Sequence, residues 1–169
     1  MPGPFARAAP GLLGLALLAT GGCAGYQIGS PSLFRPDIRT VYVPMFESDS
    51  LRKYLGPQLK EAVSKQIESL TPYKVVHSPM ADSTLTGRIL QDWKRPIGKN
   101  VNDEPRVIGL DLSVQATWFD RSGQLLMQQT FELGNEFVPE SGQSFSTAQL
   151  QTIQELAEQI VSRMERQDW

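Results

Sequence analysis

The chain is poor in the residues from which catalytic and metal sites are most often built. Its 169 residues include one cysteine (Cys23) and one histidine (His77). A single cysteine excludes an internal disulfide, so packing alone must stabilise the fold. One histidine without an HExxH motif or a cysteine partner argues against a zinc site. We therefore interpret His77 as a structural or surface residue.

The sequence also lacks the motifs of common hydrolases and nucleotide-binding enzymes. No GxSxG motif and no glycine-rich phosphate loop occurs, and a serine nucleophile would have only His77 as its base. The carboxylates are scattered, and a pair such as Asp111 and Glu132 across a hairpin is more often solvated sheet surface than a catalytic pair. We therefore predict that the chain is not an enzyme and has no cofactor and no metal.

The N-terminus is typical of an exported lipoprotein. A stretch with one positive charge (Arg7) precedes a short apolar run at residues 12–19, about half the length that spans a bilayer, and small residues then lead to Cys23. This pattern predicts a signal peptide at 1–22 and a lipid on Cys23. The alternative is an ordinary exported protein in which Cys23 merely lies near the cleavage point.

Charge and hydropathy limit the partners of the remaining chain. Without residues 1–22, which hold one basic and no acidic residue, 147 residues remain, with 15 basic and 18 acidic side chains. This balance argues against nucleic acid as a partner. No later apolar run approaches spanning length, so membrane attachment would come through the lipid. Residues 23–37 are rich in Gly, Pro and Ser, and we interpret them as a tether to a single domain at 38–169.

Hydrophobic periodicity predicts the order strand, helix, three or four strands, helix. Apolar residues at spacings of three and four indicate amphipathic helices after Ser50 and from 146 to about 166, with Ser50 and Ser146 as the N-caps. Strict alternation over residues 108–119 indicates a long antiparallel strand with one apolar face, and residues 125–137 return beside it. The pattern predicts an α+β two-layer sandwich, with two helices on one face of a mostly antiparallel sheet of four to five strands.

One basic segment is a candidate binding site. Residues 93–100, predicted to connect two long strands, contain Trp93, Lys94, Arg95 and Lys99, and Arg106 follows soon after. Such a loop can contact the phosphates of anionic head groups. The alternative is that these charges only keep a long loop soluble.

Several short motifs resemble those of the LptE-type lipopolysaccharide-assembly lipoproteins. They are a lipid-modified Cys23 followed by Gly25-Tyr26, the strand TVYVPMF at 40–46, the helix from Leu51 and the segment ADSTLTGRI at 81–89. The long hairpin and the closing C-terminal helix also fit this family.

The resemblance implies a helix-on-sheet domain that is lipid-anchored to the periplasmic face of the outer membrane. Its partners would be an LptD-type β-barrel, which such proteins plug, and lipopolysaccharide. Lys94, Arg95, Lys99 and Arg106 would then meet the lipid's phosphates. Two other functions remain open at this point: a lipoprotein adaptor or activator of another periplasmic enzyme or secretion complex, and an exported enzyme.

Overall fold

The computed structural model describes residues 33–50, 52, 54–99, 105–138, 142 and 144–165; Cys23 and the predicted signal peptide lie outside them. Both helices pack against the sheet, which confirms the predicted α+β sandwich. In chain order the elements are β1 (Thr40–Tyr42), β2 (Glu47–Ser48), α1 (Leu55–Leu70), β3 (Lys74–Val76), β4 (Ser83–Lys99), β5 (Pro105–Asp120), β6 (Leu125–Phe137) and α2 (Phe145–Ser162).

The sheet is mixed rather than mostly antiparallel, and its described part has six strands instead of four or five. The order is β3-β1-β4-β5-β6, with β2 paired to β4. The three pairs made by β1 and β2 are parallel, whereas the β4–β5 and β5–β6 ladders are antiparallel. β1 covers only the first three residues of the predicted strand TVYVPMF at 40–46, and the short β2 follows it. Because Pro44 has no N–H to donate, β1 ends before it and pairing resumes in β2.

Helix α1 begins later than predicted, and Ser50 is not its N-cap. The Ser50 hydroxyl accepts the N–H of Arg52 (3.0 Å), so it closes a turn ahead of the helix. The helix starts at Leu55, which places Pro57 in the first turn. The N–H groups of that turn have no intrahelical partner, so proline costs no hydrogen bond there. Pro57 therefore belongs to the helix start and does not kink the helix.

Helix α2 is capped by Ser144, not by Ser146 as predicted. The Ser144 hydroxyl accepts the N–H of Thr147 (3.1 Å), and the backbone of Ser144 is extended, as is usual at an N-cap. The helix therefore begins at Phe145, whose side chain contacts the aromatic ring of Phe137 with centroids 6.0 Å apart. This start position places Phe145 beside the β4–β5 hairpin.

The core lies between the helices and the sheet face that carries the alternating apolar residues of β5. Tyr73 is fully buried in it and contacts the rings of Phe34 and Trp118. Burial raises the pKa of the Tyr73 phenol, and its oxygen accepts the N–H of Arg35 (2.9 Å). Phe34 and Arg35 belong to the stretch interpreted as a tether, so the last part of that stretch packs on the domain.

Asp82 joins β1 to the start of β4. Its carboxylate accepts the Thr40 hydroxyl (2.9 Å) and the N–H groups of Arg39 and Thr40 (3.1 and 3.0 Å). Arg121, from the β5–β6 turn, lies 3.7 Å from the same carboxylate and also donates to the carbonyls of Met80 and Ala81. The Thr40 hydroxyl, first, and then the Arg39 N–H lower the pKa of Asp82 below its usual 3.8.

The β4–β5 hairpin is longer than either helix. β4 has 17 residues and α2 has 18, yet a strand rises about 3.3 Å per residue and a helix about 1.5 Å. The strand is therefore about twice as long, and the sheet extends beyond the helical layer. No helix among the described residues has the length and apolar character needed to cross a bilayer.

We predict that Asp82→Asn destabilises the protein at neutral pH. We also expect its free energy of unfolding to change less than that of wild type as the pH falls from 7 to 2. A carboxyl whose pKa is lowered in the folded state stabilises the fold above its unfolded pKa, and this contribution is lost as the pH falls through the folded pKa. Denaturant unfolding between pH 7 and pH 2 measures the effect, with Glu158→Gln on the exposed side of α2 as the control. A constant difference between Asp82→Asn and wild type down to pH 2 would contradict the assignment.

Candidate anion-binding hairpin

The basic segment is not a loop, contrary to the prediction. Residues 93–99 continue β4 and pair with β5 as far as Lys99, opposite Pro105. Pro96 and Gly98 suggested a loop, but both lie at register shifts in a part of β4 that pairs only with β5 among the described strands. Proline and glycine are tolerated at such bulges and edges. The candidate side chains therefore lie on a β-ladder, which determines the face that each one occupies.

Lys94 and Arg95 lie on opposite faces of the hairpin because successive strand residues alternate. Arg95 is opposite Gly109, and a β-carbon on Gly109 would lie 3.5 Å from the Arg95 stem and 2.8 Å from Ile97. Arg95 and Ile97 are thus on the open face of the sheet, away from the helices. Lys94 is opposite Leu110, a buried core residue, and faces the helical side.

On the open face, Arg95 already has a carboxylate partner. Its Nε lies 2.9 Å from Asp111 Oδ2, and both side chains are partly exposed. The other oxygen of Asp111 occupies the space above Gly134, where a side chain would collide with it. Glu136 pairs with Gly109 on the same face and adds a second negative charge nearby. The charge of Arg95 is therefore largely compensated where it stands.

On the helical face, Lys94 lies beside an aromatic ring and a second cation. The Lys94 ammonium and the Arg52 guanidinium each lie 4.7 Å from the centroid of the Phe145 ring. Cations at this distance are attracted by the negative face of the ring. We name Arg52, Asp92, Lys94 and Phe145 the Phe145 cluster. Phe137 supports it through its ring contact with Phe145.

Asp92 is the buried member of the Phe145 cluster. Its side chain is 1% exposed, and its carboxylate lies 3.1 Å from Arg52 Nη1 and accepts the Ser50 hydroxyl at 3.0 Å. Arg52 Nη1 and Asp92 Oδ1 are both buried and make no other polar contact among the described residues. Arg52 is therefore held by Asp92, whereas no carboxylate of the described residues forms an ion pair with Lys94.

The four predicted site residues do not converge on one point. Lys94 and Arg95 diverge to the two faces, and Lys99 and Arg106 lie further out, in β4 and β5 near the connection between the strands. The sequence did not indicate Arg52, Asp92 and Phe145, which come from three distant segments. The one available signal was Asp92, a carboxylate on the helical face of a strand, where burial demands a counter-ion.

A cleft of about 650 Å³ lies away from the hairpin, between residues 35–37, the start of β6 and the end of α2. Its charged groups include the Arg35–Asp37 ion pair (2.8 Å) and Arg163. The hydrogen bond to Asp37 raises the pKa of Arg35, which stays charged. Nowhere in the described part of the chain do three His, Cys, Asp or Glu residues come together in a possible metal site.

Comparison with known proteins gives one family and several similar folds. Residues 38–167 match the model of the LptE lipopolysaccharide-assembly family. No curated protein matches the chain in sequence. Protein XCC0632 from Xanthomonas campestris is similar in structure, with a TM-score of 0.60 and 9% identity over 79% of this chain and 86% of that one.

Two further solved structures share the fold. Uncharacterized lipoprotein B from Nitrosomonas europaea gives a TM-score of 0.52 and 16% identity over 85% of this chain and 92% of its own. The PelC dodecamer from Paraburkholderia phytofirmans gives a TM-score of 0.54 and 11% identity over 81% of this chain and 96% of its own. At these identities the likeness shows a common fold alone.

We predict that Arg52→Met destabilises the fold, because it leaves the Asp92 carboxylate buried without its counter-ion. The cost should be about 2 kcal/mol, below the 3–5 kcal/mol of a fully buried pair because Arg52 is partly exposed. The double variant Arg52→Met/Asp92→Asn should recover much of this loss. Arg88→Met is the control, since the Arg88–Asp49 pair is exposed at both ends. If Arg52→Met and Arg88→Met lower the free energy of unfolding by the same amount in denaturant unfolding, the prediction is contradicted.

Proposed function

The chain belongs to the LptE lipopolysaccharide-assembly family, and from this membership we propose that it is an outer-membrane lipoprotein that assists the delivery of lipopolysaccharide to the outer membrane. It would do so by binding and plugging an LptD-type β-barrel and by contacting lipopolysaccharide directly. The observation that carries this proposal is the family match over nearly all of the described domain. The family is non-enzymatic, so the proposed role is binding and assembly, not catalysis.

The open face of the sheet supports a role as a plug. The interior of a large outer-membrane barrel is polar and wet, so a domain inside it needs a polar surface. The open face is formed largely by small or uncharged polar side chains of the two central antiparallel ladders. Those with access to solvent include Thr86, Gln115, Gln128 and Thr130, whereas Ser113 and Thr117 are buried, and Trp93 and Ile97 add exposed apolar area on the same face.

The hairpin supports the proposed contact with lipopolysaccharide. It extends beyond the helical layer and carries Lys94, Lys99 and Arg106, which we propose as contacts to anionic groups of the lipid, whereas Arg95 is paired with Asp111 on the open face. Cations that project from a rigid sheet can approach phosphates without first ordering a loop. Attachment of the domain to the membrane would come from the lipid on Cys23.

A second candidate is an adaptor or activator of another periplasmic enzyme or secretion complex. The chain shares its fold with PelC, which forms a dodecamer, so this fold is compatible with assembly into other complexes. The two candidates differ in the partner: a large outer-membrane barrel in the first case, and a soluble or inner-membrane protein in the second.

We predict that the tagged full-length chain, purified from detergent-solubilised outer membranes, brings down an LptD-type barrel in a fixed ratio. Mass spectrometry of the eluate identifies the partner, and an unrelated tagged outer-membrane lipoprotein is the control. Reproducible absence of the barrel, with enrichment of a soluble or inner-membrane protein instead, would favour the adaptor function.

We predict that Cys23→Ser releases the protein from the membrane fraction. The substitution removes the thiol that would carry the lipid, and no other part of the described chain offers a membrane span. Fractionation and intact-mass measurement of the mature N-terminus test this. Ser50→Ala, which leaves Cys23 in place, is the control. Retention of Cys23→Ser in the membrane fraction, or an unacylated wild-type terminus, would disprove the anchor.

A further inference from the structure

The two adjacent cations of the hairpin differ in what already neutralises them. Arg95 forms an ion pair with Asp111, and Glu136 lies on the same face. Lys94 lies beside the Phe145 ring and beside Arg52, whose charge is balanced by the buried Asp92, so the charge of Lys94 itself has no carboxylate partner among the described residues. An incoming anion at Arg95 must share the guanidinium with the Asp111 carboxylate, which repels it, whereas no carboxylate of the described residues forms an ion pair with Lys94. The attraction available to an external anion is therefore greater on the helical face.

We infer that the anion-binding face of the hairpin is the one that carries the Phe145 cluster, with Lys94 as the contact to a lipid phosphate, while Arg52 stays paired with Asp92. This inference rests on the proposed contact with lipopolysaccharide and names the residues that make it. Arg95, next in sequence, has a structural role through Asp111. The ligand group is a phosphate monoester or diester on an acylated lipid.

Phe145 is the positioning residue of this site. Lysine has a long flexible stem and loses considerable side-chain entropy when it is held in one place. The Phe145 ring holds the Lys94 ammonium and the Arg52 guanidinium at the same distance, 4.7 Å, so part of that entropy is already lost before the ligand arrives. Phe137, the last residue of β6, packs against the same ring and supports its position. Removal of the ring should weaken binding while the charges remain.

The test compares neighbouring neutralisations in the full-length chain, immobilised in detergent and titrated with bisphosphorylated lipid A. Lys94→Gln should weaken binding about fivefold to tenfold, as expected for loss of one charged hydrogen bond at a partly solvated site. It should also reduce the salt dependence of the affinity. Arg95→Gln is the matched control and should change the affinity less than about twofold. Dephosphorylated lipid A should bind wild type and Lys94→Gln equally.

Variants of Phe145 test positioning separately from charge. Phe145→Leu should weaken binding about threefold while the salt dependence stays at the wild-type value, because both cations remain; Phe145→Tyr, which keeps an aromatic face, should restore the affinity. Denaturant unfolding of each variant confirms that the fold is intact. A loss for Arg95→Gln equal to or larger than that for Lys94→Gln, or a Phe145→Tyr variant as weak as Phe145→Leu, would overturn the inference.

The same titration separates this inference from the proposed function. If wild type binds lipid A and Arg95→Gln weakens binding more than Lys94→Gln does, the assignment of the face is wrong, while the proposed lipid contact stands. If wild type does not distinguish bisphosphorylated from dephosphorylated lipid A, phosphate recognition by the cluster is disproved. If wild type does not bind lipid A at all, the proposed lipid contact and the inference fail together.

Discussion

The alternation of side chains along the β4–β5 ladder is the constraint on which the rest of the structure depends. Leu110, Leu112 and Val114 all face the helices, so the register that buries them leaves the intervening residues on the open face. Shifting this register by one residue would expose the apolar set to water. The same alternation separates Lys94 from Arg95, so burial in the core decides which cation meets Phe145 and which meets Asp111.

The sequence contained enough information for the two layers and for the long strands, because both depend on local hydrophobic period. It was misleading at residues 93–99, where Pro96, Gly98 and three charged residues favour a loop by local criteria. These residues form a strand because they continue to pair with β5, which is a nonlocal interaction. Bulges at Pro96 and Gly98 make this pairing possible. Ser146 was a reasonable N-cap locally, but the neighbouring Ser144 has the extended backbone that an N-cap requires.

The Phe145 cluster was beyond sequence reasoning for a different reason. Its members come from the turn before α1, the outer part of β4 and the first residue of α2. No spacing rule connects residues from three such segments, and only the packing of both helices on one sheet brings them together. Asp92 illustrates the information that the sequence lacked. A carboxylate on the helical face needs a cation as its partner, but the chain contains many cations. Only the fold shows that the partner is Arg52.

The two ends of β5 have different roles in the proposed function. Trp118, near one end, packs on Tyr73, whose hydroxyl oxygen holds Arg35 in the segment that leads back towards Cys23. Leu110, opposite Lys94, lies eight positions away along the same strand, or about 27 Å at the rise of an antiparallel strand. With the tether at one end of a stiff sheet and the cationic face at the other, the binding residues would lie at a defined distance from the point where the tether joins the domain. A flexible loop carrying the same charges could not set that distance, whereas a continuous hydrogen-bonded ladder does.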